Sequence, residues 1–115
     1  MSKFHAELDK QGLRGFLGFI EENHPDQLLR LTEPVRSEYE MTAIVFELER
    51  AGRCPVVVFE NVVGQDMPVV TNIAGNRAVL ASLLDVDERD LPTAFRERCQ
   101  NYLPVERVES APWQE

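Results

Sequence analysis

Val56-Val57-Val58-Phe59, then Gly64-Gln65-Asp66, then Val69-Val70-Thr71, is the stretch on which the reading of the fold turns. The first run is β-branched and apolar at every position, without alternation, as in a strand covered on both faces. The glycine-centred turn ends it, and Val69-Val70-Thr71 repeats the pattern. Two strands are therefore predicted, either paired as a hairpin or separated in the sheet. A strand buried on both sides needs helices above and below it, and the flanking sequence has to supply them.

It does so on either side. Leu13, Phe16, Leu17 and Ile20 recur at i, i+3, i+4 and i+7, one face of a helix that Pro25 stops. Leu28, Leu29 and Leu31 predict a short strand closed by Pro34. Ser37 to Glu40 matches a capping box, with Ser37 as N-cap and Glu40 reaching back. The helix it opens is predicted to run to about Ala51, with Gly52 as its stop. Its apolar residues Met41, Ala43, Ile44, Val45, Phe46 and Leu48 cover more than one face, which predicts a largely buried helix.

Downstream, Gly75-Asn76 breaks the second valine strand, and Asn76 is placed to cap a helix containing Val79, Leu80, Leu83 and Leu84. Asp85 to Asp90 form a charged connector. Pro92 then starts a last helix through Ala94, Phe95, Cys99 and Tyr102, which Pro104 ends. The predicted fold is α/β (α+β), a single domain with a small sheet of about three strands flanked by four helices. A chain of 115 residues has room for one such domain. Residues 1–104 are assigned to it and 105–115 to an extended tail.

Twenty acidic residues against twelve basic ones give a formal charge of −8. Such a surface repels phosphate backbones, and the basic residues form no stripe, which argues against nucleic acid and anionic membranes as partners. No segment has the run of apolar residues that a membrane span requires. Met1 to His5 lack the apolar stretch of a secretion signal, and Cys54 and Cys99 read as reduced thiols. The expected compartment is the cytoplasm.

Candidate chemistry is sparse. His5 and His24 have no second ligand at metal spacing, and there is no Cys-x-x-Cys pair. Cys99 occupies an apolar-face position, where a small buried hydrophobe is expected, and Cys54 precedes a strand. The carboxylate pairs Glu21-Glu22, Glu47/Glu49 and Asp87-Glu88 read as solvated helix faces, since catalytic carboxylates need a desolvated cleft. The stretch Thr71 to Arg77 runs from a strand through a polar loop to a helix start, where free N–H groups can hold an anion. The plainer reading is structural: Asn72 and Asn76 satisfy loop backbone and cap the helix, while Gly75 supplies a positive φ.

Taken together, ordered blocks along the chain resemble a known family. Leu13-Arg14-Gly15-Phe16-Leu17 precedes Arg30-Leu31-Thr32-Glu33-Pro34-Val35, and Tyr39-Glu40-Met41-Thr42-Ala43-Ile44 follows. Then come Val58-Phe59-Glu60-Asn61-Val62-Val63-Gly64 and Met67-Pro68-Val69-Val70-Thr71-Asn72. Their order and spacing are similar to the N-terminal domain of UbiD-type, prenylated-FMN-dependent decarboxylases. Val108 to Glu115, with its lone Trp113, resembles the segment where members of that family pass into the next domain.

The resemblance implies a carboxy-lyase that reversibly decarboxylates aromatic or α,β-unsaturated acids. Its cofactor would be prenylated FMN, with a divalent metal (Mn or Mg) and potassium. In that family the catalytic Arg and Glu lie in the middle domain, so no catalytic, cofactor-binding or metal-binding residue carries over to this chain. No cofactor is expected on the chain alone, and no role near the site carries over to Asn72 or Arg77. Its implied partners are the cofactor-binding and C-terminal domains, with a homo-oligomer at full length. Two other readings stand beside it: a free-standing small subunit docking on a separate decarboxylase, and a small-ligand binder using the Thr71–Arg77 loop.

Overall fold

A computed structural model describes residues 12–102, 104, 105 and 107–110. Seven principal elements follow in order: α1 (Leu13–Asn23), β1 (Leu28–Leu31), α2 (Glu40–Arg50), β2 (Val56–Phe59), β3 (Val69–Thr71), α3 (Arg77–Leu84) and α4 (Leu91–Gln100). One-turn 3-10 segments, Pro25–Gln27 and Glu88–Asp90, introduce β1 and α4. The predicted α/β class and element order are found as a small single domain.

The sheet has the order β1-β2-β3. β1 and β2 are parallel, Leu28 opposite Val56 and Leu31 opposite Phe59, with α2 as the crossover that parallel neighbours require. β2 and β3 are antiparallel, Val57 opposite Thr71 and Phe59 opposite Val69, which settles the pairing that the sequence left open. Gly64, at φ 80°, turns the chain between them. A parallel bridge from Val35 to Val62 extends the β1–β2 pair past its carboxyl ends.

Alternate residues of a strand point to opposite faces, so β2 feeds two cores. Val56 packs with Phe16 and Ile20 of α1 and Val79 of α3. Val57 and Phe59 pack with Val35 and Val62 on the other side, under Met41, Ile44, Val45 and Leu48 of α2. Every residue of β2 is buried, which is why its sequence does not alternate.

Four expectations need correction. Ser37 does not cap α2: the N-cap is Tyr39, at φ 65° and ψ −32°, with no side-chain cap bond. The Glu40 carboxylate does reach back, but it accepts from the backbone N–H (2.6 Å) and Nε (2.9 Å) of Arg36. Nor is α2 largely buried, since none of its residues is. It lies alone on its side of the sheet, so only the row at i, i+3, i+4 and i+7 from Met41 to Leu48 meets the core, and Phe46 points outward at 58% exposure. The last helix stops at Gln100 and leaves Tyr102 beyond it, and Cys99 is exposed. Of α4 only Leu91 is buried, because the helix packs chiefly on α3 and its adjoining turn.

The helix stops are as the chain requires. Gly52, at φ 73°, follows α2, its N–H donating to the Glu49 carbonyl and that of Arg53 to the Leu48 carbonyl, the paired bonds of a Schellman motif. Asp85, at φ 58°, ends α3 in the same way, with Val86 N–H on the Ala81 carbonyl. Arg98 Nη2 donates to the Leu84 carbonyl at 2.8 Å and ties α4 to the end of α3. Past α4 the described residues form neither helix nor strand, while His5 and Trp113 lie outside the described residues.

Two consequences are measurable. Phe59→Ala empties a fully buried site and is expected to cost about 3–5 kcal/mol, whereas Phe95→Ala, at 61% exposure, changes stability by no more than about 0.5 kcal/mol; urea denaturation of both variants checks this. The Arg36 N–H and guanidinium hold the Glu40 carboxyl below its ordinary value of 4.5. A depressed folded value means that the contribution is present above the unfolded value and lost as pH falls through the folded one. Glu40→Gln therefore lowers the melting midpoint at neutral pH, and the difference from the parent closes on acidification below the carboxylate range.

Candidate functional site

The Thr71–Arg77 loop, singled out by sequence, lies between the C-terminal end of β3 and the start of α3. Asn72 takes φ 61°, so the left-handed residue of the loop is the asparagine, and Gly75 does not have a positive φ. Asparagine tolerates this conformation better than most residues. Gly75 is needed for space: a Cβ there would run into the Asn72 carboxamide. That carboxamide is committed, its Nδ2 donating to the Pro55 carbonyl at 2.8 Å, just before β2.

Asn76 is the N-cap of α3, its Oδ1 accepting from Val79 N–H at 3.2 Å. Its Nδ2 donates to Gln27 Oε1 at 2.6 Å, which fastens the start of α3 to the turn before β1. Gln27 was not legible as a functional or structural partner, because nothing local marks a residue that pairs across 49 positions. The Arg77 guanidinium sits 3.8 Å from Glu88, both well exposed, a pair of small energetic weight.

Gln27, Asn76, Arg77 and Glu88 border a cleft of about 330 Å³, whose lining also includes Asp26, Arg53 and Cys54. Its charges alternate, two acids against two arginines, so it presents no field of one sign. The cleft also lies where β1 and β2 begin, since Gln27 precedes one and Cys54 the other. Open parallel sheets hold ligands at the opposite, carboxyl ends of their strands. Here those ends are closed by backbone bonds, Val35 N–H to the Asn61 carbonyl, Glu60 N–H to Leu31 and Val63 N–H to Val35.

The other candidates do not converge. The His24 ring lies beside Phe19, centroids 6.1 Å apart, and among the described residues its Nε2 is buried without a hydrogen-bond partner. Glu21, Glu22, Glu47, Glu49, Asp87 and Glu88 are all exposed. Glu21 faces Arg30 at 3.7 Å, and Glu47 accepts from Arg50 at 2.9 Å. Cys54 and Cys99 are free thiols. Among the described residues no three metal-ligating side chains come together, and no helix is long and apolar enough to cross a membrane.

The Asn72–Gly75 contact yields a coupled prediction. Gly75→Ala displaces the Asn72 carboxamide from the Pro55 carbonyl and is expected to cost about 1–3 kcal/mol. In an Asn72→Gly background the same change should cost only a few tenths of that, because the obstructing group is gone; a double-mutant cycle by denaturant unfolding reads the coupling.

The comparison with known families fits this arrangement of a packed domain with its polar loop groups engaged internally. The sequence model of the 3-octaprenyl-4-hydroxybenzoate carboxy-lyase N-terminal domain matches residues 22–99, from the last turn of α1 into the last turn of α4. This match takes in the sheet and most of the helical cover, and by it the chain belongs to the UbiD N-terminal domain family.

Proposed function

We propose that this chain is the N-terminal scaffold domain of a cytoplasmic UbiD-like carboxy-lyase that reversibly decarboxylates aromatic or α,β-unsaturated carboxylic acids using prenylated FMN. The family match over residues 22–99 carries the reading. When bound, the flavin would supply the electron-accepting centre on which carbon dioxide leaves. The described residues of this chain do not fit that group: no metal-ligand cluster is found among them, and the cleft beside α3 has mixed charge and committed amides. No step of the reaction is assigned to them. The cofactor-binding domain, beyond 105–115, is taken as the partner.

The exposed apolar residues support a docking role. Phe95 on α4 is open to solvent, and so are Tyr102, Val105 and Val108 in the residues that follow. Four exposed apolar side chains along one stretch of chain fit a surface that other protein covers. In this reading the next domain sits on the open half of α4, and this domain stiffens it without touching substrate.

The chain alone, supplied with prenylated FMN, manganese and potassium, is expected neither to retain flavin on gel filtration nor to release carbon dioxide from cinnamate-like or hydroxybenzoate-like acids. Turnover by this chain would overturn the scaffold assignment. Phe95→Glu should leave the melting midpoint of the isolated chain unchanged while loosening this domain from the full-length enzyme, read as faster proteolytic release. Equal protease resistance of parent and variant would rule out docking through α4.

A further inference from the structure

Between β1 and α2 the chain runs from Thr32 to Tyr39 past the carboxyl ends of β1 and β2. Of this segment only Val35 is buried, and every other residue in it is exposed. Its hold on the sheet centres on that residue. Val35 N–H donates to the Asn61 carbonyl at 3.0 Å, and the Val35 carbonyl accepts from Val63 N–H at 2.9 Å. The Val35 side chain fills the α2 side of the core beside Val57, Phe59 and Val62.

A second fastening lies at the far end. Glu40, the first residue of α2, accepts from the backbone N–H of Arg36 at 2.6 Å and from its Nε at 2.9 Å. Both side chains are open to water, so this clasp is a weak one. Tyr39 stands beside it at φ 65°, a conformation that L-residues rarely adopt, and its side chain, 88% exposed, offers no packing in return.

We propose that Thr32–Tyr39 is a hinged strap: it lifts from the sheet as a unit, with Glu40 as its latch and Tyr39 as its hinge, while β2 and the helices stay folded. An opening that exposes one buried side chain of the segment and breaks two backbone bonds costs far less than unfolding a strand buried on both faces. It also releases the left-handed backbone of Tyr39. Lifting bares Val62, the Asn61 carbonyl and the Val63 N–H at the carboxyl ends of β1 and β2, the position at which open α/β sheets take ligands. A group reaching that position has to displace Val35 first, so the crevice exists only when the strap is lifted.

Native-state hydrogen exchange of the chain and two variants tests this. In the parent, the Val35 and Val63 amides are expected to exchange about tenfold or more faster, relative to their unstructured rates, than those of Val57 and Val58. Val79→Ala loosens only the α1–α3 side of the sheet. It should speed exchange of the β2 amides about tenfold or more and leave Val35 and Val63 within about twofold of the parent, because that side stays packed when the strap lifts. Glu40→Ala removes the latch and should speed exchange at Val35 and Val63 by about fivefold. Val35 and Val63 protected as strongly as β2 would overturn the proposal. So would a Val79→Ala variant that speeds all of these amides alike, or a Glu40→Ala variant that leaves Val35 and Val63 unchanged.

Discussion

The burial of β2 on both faces is the constraint from which the rest of the domain follows. With Val56, Val57, Val58 and Phe59 all removed from water, neither face of the strand can be left to solvent. α1 and α3 close one side through Phe16, Ile20 and Val79, and α2 closes the other through the row from Met41 to Leu48. The strand must also have both edges paired, since its N–H and C=O groups have no access to water. β1 pairs one edge and β3 the other. The parallel β1–β2 pairing in turn obliges a helical crossover, and α2 is that crossover.

The loop after β3 serves the same end. Asn72 holds the chain just before β2 through the Pro55 carbonyl, and Asn76 fixes α3 to the turn before β1 through Gln27. Groups that could have faced a ligand are used to lock three segments together where β1 and β2 begin. The carboxyl ends of those strands, where an α/β sheet would offer a crevice, are sealed by the Val35–Val62 bridge. A domain organised in this way has its loop amides engaged by its own chain. Its exposed apolar side chains lie on the outside, with Phe95 on the open half of α4.

Much of this was legible in the residues. The unbroken apolar run of β2 announced its two-sided burial, and Asn76 was readable as a cap because the helix it opens begins at once. What was not legible has physical causes. Ser37 and Glu40 have capping-box spacing, yet Glu40 is captured by Arg36, a competing donor that the pattern does not weigh. The apolar content of α2 overstated its burial. The spacing of Met41, Ile44, Val45 and Leu48 already defines one face and leaves Phe46 outside it, so the wheel held the signal although the composition hid it. On α4 the apolar residues keep a helical period but have little to pack against, and no local pattern reports a missing neighbour. Gly75 was read for its φ when its need was space, because the obstructing Asn72 side chain is placed by a bond across 17 positions.

Native-state hydrogen exchange of the backbone amides tests the central claim most directly. If the domain is built on β2, the amides of Val57, Val58 and Phe59 exchange only through global unfolding, with the free energy measured by denaturant. Those in the second half of α4, from Phe95 to Gln100, should exchange through local opening at a much lower free energy. Exchange of β2 by local opening, or α4 amides protected as strongly as those of β2, would contradict the account.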